Sequence, residues 1–406
     1  MKKHLVFAWN YLNWGGSQVY FFGIVKVARQ EDWDVTVVLP RDSSPEVVKH
    51  LDELGINYRF VDHQIDSEPA QTIGRKIRRQ LNRMNVEYGM FRELLKFGTK
   101  DRVFQIEIAP WQSVSFLTAM AVRGATVFIA THNFLPEDAP LWRRVLWKLR
   151  LLLVSRLPGL NIYVSNQHTK DAMRGWVSED FWNRVRVAVT GVDPLQLTAA
   201  AEASFDRDGA RGRHGINVED FVVLCVGQFI DRKGRWIFLE AAEQILRDHD
   251  DVSFVWLMPT LPSSADRELV AQLNLRDKFR IVLSEDAGRN RNEVLTFFRV
   301  ADAFALPSYV EGIPGAMLEA MSLAIPCIST NVYGIPEALK DRETGLLIPP
   351  DDSKALASAI MTLKNDEDLR SRLAVQGRAF VRENFDDRKT ARIVLDEYTE
   401  ALRRGR

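Results

Sequence analysis

Short apolar runs alternate with stretches whose apolar residues recur every three or four positions, and this continues along nearly the whole chain. Leu5-Val6-Phe7-Ala8-Trp9 reads as a buried strand, and the spacing after it predicts a helix from about Ser17 to Arg29. Val35–Leu39 reads as a second strand. The next helix is punctuated by Ser44 as N-cap, Pro45 at the first helical position and Gly55 just past the end. Further strands are expected at 58–62, 104–108, 126–131, 161–165 and 185–189. The pattern lapses between Val192 and about Val218, where the chain holds mixed charges, two glycines and no apolar run. A second series then begins, with strands expected at 221–227, 252–258, 279–284, 303–307 and 326–329. Strand–helix alternation of this kind predicts parallel sheets covered on both faces. The expected organisation is two doubly wound α/β domains, 1–192 and 218–386, with a linker region at 193–217 and a helix at 387–406 returning toward the first domain. In such sheets ligands bind outside the carboxyl ends of the strands, which makes a cleft between the domains the expected site.

Charge and composition narrow the function classes. The chain of 406 residues carries 54 Lys+Arg against 54 Asp+Glu, a formal net charge of zero, with 46% hydrophobic residues. That content excludes a disordered chain. A balanced charge argues against general nucleic-acid binding, which needs an excess of Lys and Arg. The two cysteines, Cys225 and Cys327, sit inside apolar runs, which excludes a disulfide scaffold or a cysteine-ligated zinc site. Met1-Lys2-Lys3 resembles the start of a secretory signal, but the apolar stretch behind it ends at Trp9. No later run approaches the ~20 apolar residues that cross a bilayer. The expected location is the cytoplasm, with peripheral attachment to the inner face of the membrane.

The most informative segment runs from Tyr309 to Met321, Tyr-Val-Glu-Gly-Ile-Pro-Gly-Ala-Met-Leu-Glu-Ala-Met, after the apolar run Ala303–Leu306. Pro314 suits the first position of a helix, and Gly315 and Ala316 then offer free N–H groups without a bulky side chain. A helix start of that kind is an anion site. The helix is apolar nearly all round and therefore buried, with Glu319 as its one charge. A buried carboxylate must meet donors, either an arginine or a pair of vicinal hydroxyls such as a ribose diol. Glu311, eight residues earlier, stands where it could hold a second polyol. In the N-terminal half, Gly15-Gly16 follows the first strand and lets backbone approach a ligand closely; the alternative is a turn needing positive φ. His132 follows the strand at 126–131 at a carboxyl end, and can be a ligand contact or a loop histidine. The Asp-x-Asp pairs Asp32/Asp34 and Asp248/Asp250 precede strands and read as solvated turn residues, so no metal site is expected.

Glu311 and Glu319 resemble the E-x7-E motif of the retaining family 4 glycosyltransferases, which have the GT-B fold of two Rossmann-like domains facing across a cleft. The resemblance extends through "ADAFALPSYVEGIPGAMLEAMSLAIPCISTNVYGIPEALKDRETGLLIPPDD", through "VLCVGQFIDRKGRWIFLEA", and through "VTGVD". It covers most of 185–385 and is thinner in the N-terminal half, where it rests on Gly15-Gly16 and His132. It implies metal-independent transfer of a sugar from a nucleotide-diphosphate sugar, without a cofactor, to a glycan or lipid-linked acceptor in polysaccharide or cell-envelope biosynthesis. Carried over, Glu311 holds the donor sugar, Glu319 the ribose and Lys233 the departing diphosphate. Backbone from Gly312 through Ile313, Pro314, Gly315 and Ala316 meets sugar and diphosphate, and His132 contacts the sugar and acceptor region. Two departures stand out. Gln228 occupies a place where the family usually has arginine, which leaves Arg232 and Arg235 as candidates for the missing cation. Leu257-Met258-Pro259-Thr260 replaces a glycine-rich turn. Competing readings are a sugar-nucleotide epimerase of the same fold and a weakly catalytic nucleotide-sugar-binding partner subunit.

Residues 141–156 hold five basic residues, no acidic ones and two tryptophans. A helical wheel places Arg143, Arg144, Trp147, Lys148 and Arg150 on one face and Leu141, Val145, Leu149 and Leu152 opposite, the pattern of a helix lying on an anionic membrane. Residues 72–102 add nine basic against three acidic. There Ile77, Leu81, Met84, Tyr88, Phe91 and Leu95 are expected to form a buried stripe.

Overall fold

The computed structural model describes residues 2–9, 16–61, 72–133 and 139–404. The chain divides into two compact units, one of Met1–Val189 with Arg388–Arg406 and one of Thr190–Asp387.

The first unit is built on strands β1 (His4–Ala8), β2 (Asp34–Pro40), β3 (Asn57–Val61), β4 (Arg102–Ile106), β5 (Thr126–Thr131), β6 (Leu160–Val164) and β7 (Arg186–Val187). They form one sheet in the order β3-β2-β1-β4-β5-β6-β7, every pair parallel. The second unit holds β8 (Phe221–Val226), β9 (Val252–Met258), β10 (Phe279–Leu283), β11 (Ala303–Leu306), β12 (Cys327–Thr330) and β13 (Leu346–Ile348), ordered β10-β9-β8-β11-β12-β13 and again all parallel. Both sheets thus reverse their winding beside the first strand, between β1 and β4 and between β8 and β11. Such reversal points open a crevice at the carboxyl ends.

The apolar runs become strands because helices cover both faces. Every residue of β9 is buried, and so is every residue of β11 and β12. The first sheet packs one face on the Gly16–Gln30 helix and on the chain's last helix, Asp387–Arg404. That last helix is anchored by Tyr398, whose hydroxyl donates to Gln105 Oε1 at 2.8 Å and whose ring meets Phe128 edge-on. The opposite face packs on helices at Ile73–Leu95, Val114–Val122 and Leu141–Val154.

The structure departs from the sequence reading in several places. Residues 193–217, expected to be linker, carry helices at Pro194–Glu202 and Arg207–Arg213, both part of the second unit. Asp193 and Asp206 cap them through their carboxylates, a local signal the missing apolar run had obscured. The expected strand at 185–189 pairs only over Arg186–Val187. The stripe on the Ile73–Leu95 helix is core only at Phe91, which packs against Phe116, while Ile77, Leu81, Met84 and Tyr88 are all more than half exposed. The Leu141–Val154 helix exposes apolar residues as well as Arg143, Arg144 and Lys148. Leu141, Trp142, Val145 and Leu149 are exposed, while Trp147 is partly buried against Trp111.

Candidate functional site

In the second unit the loops after β8 and β11 meet at the winding reversal. After β8 the chain makes a 3-10 turn over Asp231–Lys233, and Gly234 follows in the left-handed region at φ 70°. A β-carbon at Gly234 would collide with the Pro307 carbonyl, so only glycine lets this turn lie against the end of β11. The Tyr309 N–H donates to the Arg232 carbonyl at 2.9 Å and laces the loops together.

This lacing brings Lys233 to Glu311. Lys233 Nζ lies 2.5 Å from Glu311 Oε1, and Arg232 Nη1 lies 3.3 Å from the same oxygen. Glu311 is buried, and the Ser308 hydroxyl donates to it at 3.4 Å. Arg232 also donates to the Val310 carbonyl at 3.1 Å. Arg235, the other candidate cation, is committed elsewhere. It pairs with Asp231 and Asp266 at 2.8 Å each and lies over the rings of Phe229 and Trp236. Gln228 is exposed in the same loop, one residue past Gly227.

Pro314 caps the Gly315–Ser322 helix instead of opening it, one residue before the expected place. The N–H groups of Gly315 and Ala316 lie in the first turn, where no carbonyl of the same helix can accept from them. A β-carbon at Gly315 would meet nothing within 4 Å, so the helix start is open. Gly312 and Ile313 are buried in the loop that leads to it. One turn on, Glu319 is buried and pairs with Arg291. Burial pushes its carboxyl above the ordinary range, against the pull of Arg291. The arginine alternative raised for Glu319 is therefore realised. The group thus combines two cations, an acceptor carboxylate and open helix amides, which suits an anionic ligand carrying hydroxyls.

In the first unit, Gly15 lies outside the described residues, and Gly16 begins the helix expected from Ser17. His132 follows β5, its carbonyl accepting from Asn166 Nδ2 at 2.8 Å and from the Thr169 hydroxyl at 3.2 Å. Its ring packs edge-on against Tyr20 and Phe21, and burial pushes its pKa down to about 4. Sequence reasoning missed Glu107, just past β4, which is buried and whose carboxyl is pushed up to about 8 by burial. The only hint was an acidic residue inside an apolar run. The Asp-x-Asp pairs lie at the opposite ends of the strands; Asp32 and Asp34 both pair with Lys2. No helix among the described residues is long and apolar enough to cross a membrane.

The whole chain superposes on a glycosyltransferase from Rickettsia africae ESF-5 with a TM-score of 0.75 at 17% identity, covering 99% of each chain. It superposes on Anabaena Alr3699/HepE in complex with UDP and glucose with a TM-score of 0.76 at 17% identity, covering 98% of this chain and 100% of that one. The fold is GT-B. Within it, residues 206–380 match the family model of glycosyl transferases, group 1. Curated relatives include a D-inositol 3-phosphate glycosyltransferase of Paenarthrobacter aurescens (strain TC1), 29% identical over 54% of this chain and 52% of that protein. The putative teichuronic acid biosynthesis glycosyltransferase TuaC of Bacillus subtilis (strain 168) is 29% identical over 50% of this chain and 48% of that protein. The chain thus spans about half the length of the curated relatives it matches.

Proposed function

We propose that the protein is a retaining glycosyltransferase that moves a sugar from a nucleotide-diphosphate sugar to a glycan or lipid-linked acceptor, in polysaccharide or cell-envelope biosynthesis. The observation that carries this reading is the placement of Lys233, Arg232 and Glu311 beside the open start of the Gly315–Ser322 helix, at the winding reversal of the second sheet. The group 1 match over 206–380 and the glycosyltransferase names of the relatives support it.

Lys233, Arg232 and the amides of Gly315 and Ala316 hold the diphosphate. As the anomeric C–O bond breaks, negative charge grows on that group, and fixed cations and amide dipoles stabilise it without a metal. Glu311 accepts from hydroxyls of the donor sugar, and Glu319 serves the ribose by exchanging its bond to Arg291. The acceptor oxygen attacks the same face the diphosphate leaves. Its proton passes to a departing phosphate oxygen, so no separate carboxylate base is needed.

A panel of nucleotide sugars tests the reading by following nucleotide release and, by NMR, the anomeric configuration of the product. Release with retained configuration is expected. Tight binding without release points to a binding subunit, isomerised donor without an acceptor points to an epimerase, and either result refutes the transferase.

We also propose that the first unit rests on an anionic membrane surface through residues 141–156. Leu141, Trp142, Val145 and Leu149 are exposed on a helix with four cations and no acid, and the neighbouring Ile73–Leu95 helix shows a second exposed apolar stripe among cations. Apolar faces this open, rimmed by Lys and Arg, suit the headgroup layer of anionic lipid. Co-sedimentation with anionic vesicles is expected, weakened by Leu149→Glu and by Arg144→Glu. Equal recovery with uncharged vesicles would refute it.

A further inference from the structure

The ladder that joins β11 to β12 stops short of the loop that carries Glu311, and a side chain takes over where it ends. Leu306 opposite Ser329 is the last pair. The Phe304 N–H donates to the Pro326 carbonyl at 2.9 Å, so alternate residues from Phe304 on turn their backbone groups toward β12, and Ser308 is next in that series. Continued one step, the ladder would bring the Val332 N–H to the Ser308 carbonyl. Val332 instead turns back to the Thr330 carbonyl at 3.0 Å. The vacant place goes to the Thr330 hydroxyl, which donates to the Ser308 carbonyl at 2.5 Å. Both residues are fully buried, where an unpaired carbonyl is rare and costly.

From Ser308 the chain of contacts runs to Glu311. The Ser308 hydroxyl meets Glu311 Oε1 at 3.4 Å, and Lys233 and Arg232 meet the same oxygen. The Gly334 N–H, from the turn that follows β12, donates to Glu311's own carbonyl at 3.3 Å. That turn holds Tyr333 in the left-handed region at φ 47°, where a bulky residue persists only if its surroundings over-determine the backbone. The end of β12 thus ties down both the backbone of Glu311 and, through Ser308, one carboxylate oxygen, which leaves Oε2 to face a ligand.

We infer that Thr330 is a positioning residue for Glu311: its hydroxyl, acting through Ser308, fixes the loop that aims the carboxylate. The step from aiming to turnover rests on the glycosyl-transfer reading; the aiming itself does not. A further rung of backbone ladder would have carried residues 308–311 onward as strand. A side-chain donor pairs the Ser308 carbonyl and still lets the chain turn toward Lys233. Threonine suits the task because its branched β-carbon restricts the rotation that would swing the hydroxyl away. Valine keeps that shape and loses the donor, while serine keeps the donor and loses only the methyl, so the two substitutions separate the bond from the packing.

The test compares Thr330→Val, Thr330→Ser and Ser308→Ala with Ser329→Ala in the full-length protein. Ser329 is the control: it is equally buried and its hydroxyl donates to the Leu306 carbonyl at 2.7 Å, but Leu306 stays in the ladder whatever happens to that bond. Turnover is followed as nucleotide release from UDP-glucose, UDP-N-acetylglucosamine and GDP-mannose, with thermal unfolding alongside. Thr330→Val should lower kcat about tenfold or more while KM for the donor stays within about threefold, since a shift of about 1 Å in a reacting group can cost about 100-fold. Thr330→Ser should restore kcat to within about threefold of the parent protein, and Ser308→Ala should lower it about threefold, in keeping with its longer bond. Ser329→Ala should lose stability much as Thr330→Val does and keep kcat within about twofold. In crystals of Thr330→Val, residues 308–311 should move by more than about 0.5 Å from their place in the parent protein. Unchanged kcat in Thr330→Val, an equal loss in Ser329→Ala, or an unmoved loop would overturn the inference. Should Thr330→Val not fold, Ser308→Ala decides, and a kcat equal to the parent's counts against the positioning. A parent protein that releases no nucleotide from any donor sinks the transferase reading alone, because the crystal comparison still decides where Thr330 holds the loop.

Discussion

Replacing Arg232 by alanine removes one of the two cations that meet Glu311 while leaving Lys233 in place. The Arg232 head is 44% exposed against 15% for Lys233, so water already screens part of its charge. A charge-assisted hydrogen bond contributes about 1.5–3 kcal/mol when well formed. Discounted for exposure, roughly 1–2 kcal/mol remains, which corresponds to a loss of about 5–30-fold in kcat/KM. Lys233→Ala should cost more, on the order of 100-fold or above, because its ammonium is closer and better shielded. Gln228→Arg should restore most of the loss in the Arg232→Ala background and add little to the unaltered protein, since one added cation then takes the place of the other. The assay is nucleotide release at fixed donor and varied salt, with thermal unfolding run beside it to show that folding is intact. Rising ionic strength should narrow the gap between Arg232→Ala and the parent protein. A loss below twofold, or one that Gln228→Arg fails to relieve, would mean that Arg232 only decorates the rim, and the reasoning from its distance to Glu311 would be wrong.

Gly234→Ala should destabilise the protein by about 1–3 kcal/mol from backbone strain alone, because φ is 70° and the added methyl meets the Pro307 carbonyl; the midpoint of urea unfolding measures this. Nucleotide release should fall with it, since the turn that carries Lys233 can no longer lie against β11. Arg291→Ala strands Glu319, and with the arginine partly exposed the expected cost is about 2–4 kcal/mol, relieved in part by Glu319→Gln in the same chain; an unchanged unfolding free energy would dismiss the pair as ornamental. His132 has a folded pKa of about 4, below its unfolded value, so the unfolded state binds the extra proton between the two. Its contribution of roughly 3 kcal/mol is present above about pH 6.5 and lost as pH falls toward 4, and His132→Gln should flatten that acid limb in thermal melts across pH.

Much of the fold was legible because its strands are buried on both faces. A central parallel strand has to be apolar throughout, and the runs behind β8, β9, β11 and β12 could be read directly. The candidate donor site was legible for a similar reason. A charge on an otherwise apolar helix, as at Glu319, announces a partner wherever the helix packs. The site's finer assignments were not legible. Arg232 in the turn and Arg235 at the start of the next helix lie three residues apart, and only the placement of Asp266 and the two aromatic rings takes Arg235 out of contention. Glu107 looked like any acid near a strand end, because its desolvation comes from residues distant in sequence. The stripe on the Ile73–Leu95 helix shows the limit most plainly. The order of residues along a chain decides which side of a helix is apolar, but whether that side faces a core or open solvent depends on what the rest of the molecule brings against it, and here part of it is left bare.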